Sequence, residues 1–261
     1  MTKLITNPKI SNAIGFVILP IILFVLCMIA NFFAPTFPKP QIIFEDIIRS
    51  FGEKSFIYAI GNTIFVISKV LLFSLIFGGI IGLFLGSTKV IWSFSQPTID
   101  FFRSIPVTFL LPGVALLIGS KSSNIVWILA TYPCILIVIF NIRTGIEKQV
   151  LQRVHSFYII NGSINKTKRF FKVTLYEILP EIFSGFRIAL SYSIVVVTVL
   201  EFMLIGNKSG IGGMIYDEMN NQNYVRVYAL TFIVGIFGFL LNKIIEIIQY
   251  RVVHWSTEIE N

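Results

Sequence analysis

Charge is scarce in this sequence. Only 13% of its 261 residues are Asp, Glu, Lys or Arg, against about 25% in a soluble domain. With 55% of the residues hydrophobic and a mean hydropathy of +0.83, a water-soluble fold would be left with apolar surface it could not cover. Cysteine is nearly missing as well. Cys27 and Cys134 fall inside separate apolar runs, which excludes a disulfide framework and a thiolate metal site. The two histidines, His155 and His254, have no second His or Cys at ligand spacing, so no metal centre is expected. Low-complexity tracts and repeats of solenoid period are absent too. The net charge of +8 would suggest a nucleic-acid partner in a soluble chain. In an apolar one it follows from topology, because basic residues collect in loops on the cytoplasmic side; no nucleic acid is expected.

What the chain does have is apolar length. Runs long enough to cross a ~30 Å hydrocarbon core recur along it. They predict an all-α, polytopic membrane protein with about six transmembrane helices, near 13–33, 57–86, 105–119, 124–142, 186–205 and 227–248. Lys3 and Lys9 precede the first run, which lacks the short apolar core and small-residue cleavage site of a signal peptide, so it reads as a retained helix. The chain divides accordingly into a first helix and outer loop (1–56), a five-helix core (57–255) and a short tail (256–261). The third run is short and holds Pro112-Gly113. A break is expected there, and with it packing inside the bundle, since lipid cannot satisfy a freed carbonyl.

Orientation follows from the cations. With the N-terminus inside, fourteen of the 21 lysines and arginines fall on the inner side, six on the outer side, and Lys69 within a span. Both termini are therefore expected in the cytoplasm of a multi-pass membrane protein. The connection 143–185 is then cytoplasmic and carries seven basic residues up to Lys172. Val150, Val154, Phe157 and Tyr158, and later Phe170, Phe171, Leu175, Ile178 and Leu179, recur at helical spacing around the turn-like 161–165. Two short amphipathic helices are expected here, lying on the membrane or fitting a partner.

Two ionisable residues sit within spans. Lys69 and Glu201 would each cost about 2.5–3.5 kcal/mol to insert, so each should be paired or face water. Their depths suit an ion pair with each other, in this chain or across a dimer; a gate or substrate contact is the functional alternative. Gly206, Gly210, Gly212 and Gly213 lack the Gly-Lys-Ser/Thr that would complete a phosphate loop. No nucleotide or other cofactor site is expected in the chain.

From residue 61 to 255 the sequence resembles the permeases of type I ABC importers, and within them the nitrate/sulfonate/taurine group. The residues that carry the resemblance are the glycine-punctuated 78–86; Arg103-Ser104-Ile105-Pro106 with Pro112 and Gly119; 169–175 with Pro180 and 185–189; and Glu201, Gly206 and Gly210-Ile211-Gly212. The family's cytoplasmic signature usually begins Glu-Ala-Ala and places a glycine thirteen residues before a proline. Here Ser156 or Phe157 opens the signature, Tyr176 replaces the first proline, Ser163 falls where the glycine is expected with Gly162 one residue early, and Pro180 is kept.

The resemblance implies a division of labour. This chain and a second permease, a copy or a homologue, would form the path in the lipid bilayer. Two ATPase subunits would hold ATP and Mg, so this chain is no enzyme itself, and an extracytoplasmic binding protein would deliver the solute. Residues 154–172 would form the helix that couples to the ATPase, with Tyr158, Ile159, Gly162, Ser163, Phe170, Phe171 and Lys172 at the contact. Impermeant cysteine labelling in intact cells checks the orientation: Asn220→Cys should react and Ser163→Cys should be protected, and the reverse pattern would invert the topology.

Overall fold

The apolar runs dictate helices, and small residues along them decide how closely the helices approach. The computed structural model describes residues 22, 25, 28, 29, 31–33, 37–119, 124–148, 159, 173–204, 210–253 and 255. Within these, α1 covers Pro40–Ser50, α2 Lys54–Gly86, α3 Lys89–Ser104, α4 Val107–Ile118, α5 Ile125–Glu147, α6 Leu175–Met203, α7 Ile211–Asn220 and α8 Tyr224–Val252. No strand occurs among the described residues. Four helices (α2, α5, α6 and α8) are long and apolar enough to cross a membrane, and α3 with α4 makes a fifth crossing if that bent pair is one span. The first expected span, 13–33, lies mostly outside the described residues.

Two sequence expectations need correcting. The third span does not break at Pro112, which sits inside α4. It breaks at Ile105-Pro106, where α3 and α4 meet at 87°. The reason is local: Pro106 holds φ near −62° and forces an extended residue before it, so Ile105 leaves the helix. The fifth span does not start near 186 either. α6 begins at Leu175 and runs for 29 residues straight through Pro180, so the apolar positions Leu175, Ile178 and Leu179 belong to the span and not to a separate amphipathic helix. Pro180 removes one backbone bond, to the carbonyl of residue 176, and Tyr176 is exposed enough for that carbonyl to find another donor.

The chain divides into two units, residues 58–214 with 234–261, and residues 1–57 with 215–233. In the larger unit α2 and α5 run parallel. A Cβ added at Gly78 would lie 2.8 Å from the Cβ of Val138, one at Gly82 would lie 3.1 Å from the Cα of Ile139, and one at Gly86 would lie 2.7 Å from Cδ1 of Ile146. Glycines four apart thus form one smooth face against α5, the small-residue contact that brings membrane helices together where lipid supplies no hydrophobic drive. α6 runs antiparallel to α5: Gly185 faces Asn141 and Gly145 faces Ile178 and Glu181. The core between them is apolar, with Ala130, Cys134, Val138, Ala189 and Val197 all buried. α3 packs on the outside of α5 through Trp92 and Ile99.

In the smaller unit, α1 lies against the first turn of α8. Arg226, in the first turn of α8 and buried, donates to Asp46 at 3.2 Å, to Glu53 at 2.6 Å and to the Ser50 hydroxyl. The rings of Phe51 and Phe56 meet edge to face, and Phe37 packs on Tyr228. Since Arg226, in the first turn of α8, touches Glu53, the residue just before α2, α2 and α8 begin on the same face of the membrane.

The glycine face is testable. Gly79 has open space where Gly78 has none. Gly78→Ala should therefore lower the thermal stability of the purified protein, overpacking costing about 1–3 kcal/mol. Gly79→Ala should leave stability unchanged or raise it, since Ala in a helix is favoured over Gly by up to about 1 kcal/mol.

Candidate functional site

Three polar joints tie the larger unit together, each of them at a helix end. The first is built on Glu201, near the C-terminal end of α6 and only 5% exposed. The Thr63 hydroxyl of α2 faces both carboxylate oxygens, at 2.9 and 3.1 Å. The backbone N–H of Gly212 donates to the carboxylate at 3.1 Å, and that of Ile211 donates to the Thr63 hydroxyl oxygen at 2.9 Å. Ile211 and Gly212 open α7. The first amides of any helix lack intrahelical partners, and here side chains from two other helices accept from them. The helix dipole also puts partial positive charge at this end, which is what stabilises the carboxylate.

This arrangement explains the glycines. A Cβ at Gly210 would overlap the Glu201 carboxylate, and one at Gly212 would lie 2.7 Å from Glu201 Cβ and 2.8 Å from the Phe202 amide. Close approach fixes both positions. Gly206 lies outside the described residues.

The expected Glu201–Lys69 ion pair does not form within the chain. The Glu201 carboxylate is occupied by a hydroxyl and an amide, and Lys69 holds its ammonium 4.3 Å above the ring of Phe65, one turn away on its own helix. Backbone amides at the start of α7 do the work that a lysine was expected to do. Spacing offered no warning of this, because it depends on a helix start meeting the side chains of two other helices.

The second joint is at the other end of α2. Arg143, buried in α5, donates through Nη1 to the carbonyl of Gly86 at 3.0 Å and through Nη2 to Glu147 at 2.6 Å, with its guanidinium 5.5 Å from the centre of the Trp92 ring. A cation at the C-terminal carbonyls of α2 is the mirror image of an anion at the start of α7. Sequence reading counted Arg143 only as a loop cation; the signal available was Glu147 four residues on, a helical pairing distance.

The third joint is Lys148 to Glu181 at 2.6 Å, which pins the end of α5 to the beginning of α6. These are the two ends of the connection expected to couple. Of its contact residues, Ile159 is helical and 82% exposed, while Tyr158, Gly162, Ser163, Phe170, Phe171 and Lys172 lie outside the described residues. Tyr176, the departure from the family signature, packs its ring 5.6 Å from Trp255, so a bulky residue there has a local packing role. Arg103 lies over the ring of Phe140 at 4.8 Å, two turns before the end of α5, which puts it beside the bundle and not in a loop. Pro106 makes the bend, and Pro112 and Pro180 lie within helices.

Residues 74–255 match a family described as the binding-protein-dependent transport system inner membrane component. The nitrate import permease protein of Synechocystis sp. is 30% identical over 176 residues, 66% of this chain and 61% of that protein, so the match spans less than two thirds of its length. The taurine transport system permease protein of Escherichia coli is 24% identical over 230 residues, 85% of this chain and 81% of that one. A solved bacterial ABC transporter involved in import of the acidic polysaccharide alginate is 14% identical with a TM-score of 0.65, covering 96% of this chain and 99% of that one. At that identity the likeness is one of fold.

Glu201→Leu should leave the Gly212 amide and the Thr63 hydroxyl buried without an acceptor, costing about 1–3 kcal/mol each. Because Lys69 belongs to a different contact, Lys69→Met should be mild. The double variant should equal the sum of the two singles to within about 0.5 kcal/mol. Chemical denaturation of the three variants in one detergent provides the check, and rescue of Glu201→Leu by Lys69→Met would show that the two side chains interact after all.

Proposed function

The chain belongs to the family of binding-protein-dependent transport system inner membrane components, and from that premise we propose that it is the permease subunit of a type I ABC importer in a bacterial cytoplasmic membrane. The observation that carries the proposal is the extent of the family match, which begins within α2 and takes in every helix from α3 to α8. In this reading residues 57–255 are the permease core. A second permease, identical or homologous, completes the path, two cytoplasmic ATPases hold ATP and Mg, and an extracytoplasmic binding protein presents the solute. The solute is small and carries an acid anion, as do those for which the relatives are named (nitrate, bicarbonate, sulfonates and the zwitterion taurine), or is a vitamin precursor; the binding protein sets most of the choice.

The geometry supports a lever. Residues 154–172 couple to the ATPase, and the connection that holds them leaves α5 and enters α6 across the Lys148–Glu181 contact. A push there reaches both helices at once. α6 is unbroken from Leu175 to Met203, about 43 Å at 1.5 Å per residue, so the push arrives at Glu201 and the start of α7. Closure of the ATPases thus moves a packed pair of helices as a rigid body, the kind of bistable change that opens a path on one side and closes it on the other. Glu201 and Lys69 are the gate candidates along that path, and Arg103, Pro106, Pro112, Pro180, Gly206, Gly210 and Gly212 are the positions that hold its backbone geometry.

Phe170→Ala and Tyr158→Ala test the coupling. Each should leave the permease inserted in the membrane at normal level while weakening ATPase recovery in a pull-down, since truncating an aromatic anchor commonly costs about 2 kcal/mol, roughly thirtyfold in affinity. Gly162→Val should act in the same direction. Normal ATPase recovery and normal uptake for all three would remove the coupling role from this segment.

A further inference from the structure

α1 carries an uncovered apolar stripe whose place in the structure says what covers it. Seen down its axis, the helix has three sectors. Ile43 and Ser50 are buried and face Arg226 and its partners within their own unit, with Asp46 beside them. Glu45 and Arg49 lie on the opposite side with their side chains out, Arg49 being 80% exposed, and Ile42 shares that side. Between these sectors, one turn apart, stand Phe44, Ile48 and Phe51, each more than half exposed. Large apolar residues at i, i+4 and i+7 form a continuous strip on a helix, and in water a strip with two phenylalanines is unfavourable unless something covers it.

We propose that this strip is sunk into lipid, so that α1 lies in the membrane interface at the face where α2 and α8 begin. Three observations favour lipid over a soluble partner. Only Phe51, Gly52 and Glu53 separate α1 from the 33-residue apolar helix α2, so α1 cannot leave the membrane surface. Ile57, in the first turn of α2, is itself 51% exposed, so apolar surface is uncovered at the start of the span as well as on the strip. The charges fall in a separate sector, as they do in a helix with water on one side and acyl chains on the other. Arg226 gives the helix its fixed roll: by holding Asp46, Ser50 and Glu53 it decides that Phe44, Ile48 and Phe51, and not Glu45 and Arg49, point toward the lipid. The charges around the helix (Lys39, Arg49 and Lys54 against Glu45, Asp46 and Glu53) balance, so neutral phosphatidylcholine suffices. The inference rests on α2 crossing a membrane and not on what the chain transports.

The test uses the full chain with Cys27 and Cys134 replaced by alanine, reconstituted in phosphatidylcholine nanodiscs. A nitroxide is placed in turn at Phe44→Cys, Glu45→Cys, Ile48→Cys, Arg49→Cys and Phe51→Cys, all exposed positions. Collision with oxygen, which partitions into lipid, and with a water-soluble nickel chelate gives the depth of each label. The expected result is a helical alternation: oxygen dominates at 44, 48 and 51, and nickel dominates at 45 and 49. Nickel dominance at all five positions would place the helix in water and overturn the proposal. Protection from both reagents at 44, 48 and 51 would mean that protein covers the strip, and would overturn it equally. Arg226→Gln supplies a second reading, because loss of the clamp should blur the alternation while α2 stays inserted.

Discussion

A carboxylate accepting the first amides of a short helix is the contact around which the larger unit is arranged. In hydrocarbon no water is at hand for the unpaired groups at a helix start, so a helix that begins inside a membrane protein must find its acceptors in the protein. Glu201 and Thr63 are those acceptors for α7. The opposite case is met by Arg143, whose guanidinium takes the carbonyl at the end of α2. α2 is thereby engaged at two levels, through Thr63 in its third turn and through Gly86 at its end, and in each joint the charge of the side chain is opposite to that of the helix end it meets. Buried charge in this unit is placed by backbone polarity. That spares the fold the separate desolvation of a lysine and a glutamate brought together in lipid.

The joints would have nothing to hold without close helices. Glycines on α2 and at the α5–α6 contact let backbones approach where side chains would keep them apart, and their positions explain why α5 is buried along much of its length, while α8 is buried only in its first turns. For a helix in lipid, exposure of Ile236, Phe239 or Leu240 carries no hydrophobic penalty. What the apolar surface lacks is any drive to pack, which is why small residues and polar contacts mark the places where the helices do meet.

Much of this was legible in the residues. Apolar runs located the long helices, and the glycine-punctuated 78–86 was among the stretches that carry the family resemblance. Glu201 and Gly210-Ile211-Gly212 stood out as a set before their contact was known. Other features lay out of reach. Pro106 and Pro112 are alike in sequence, yet only the first stands at the bend, with Ile105 extended before it, while Pro112 lies inside an unbroken α4. The extent of α6 was hidden by a proline that removes a single bond. Arg226 resembled any loop cation, since nothing local shows that Asp46, Ser50 and Glu53 return to it from 173 or more residues away. Periodicity reports which face of a helix is apolar. It does not report which distant helix end arrives at a given polar side chain.

The altered signature loop is easier to understand with these contacts in view. A proline at the start of a helix fixes the entry of the chain, and Tyr176 cannot do that. Yet the entry of α6 is held by other means. Lys148 reaches across to Glu181, Gly145 lets Ile178 and Glu181 approach the α5 backbone, and the Tyr176 ring rests near Trp255 beyond the end of α8. Arg187 and Glu246 add a further contact between α6 and α8. The beginning of α6 is therefore fixed by side chains from two neighbouring helices instead of by the restricted backbone of a proline. Such a start ties the beginning of α6 to both neighbours at once, without a proline to set its direction.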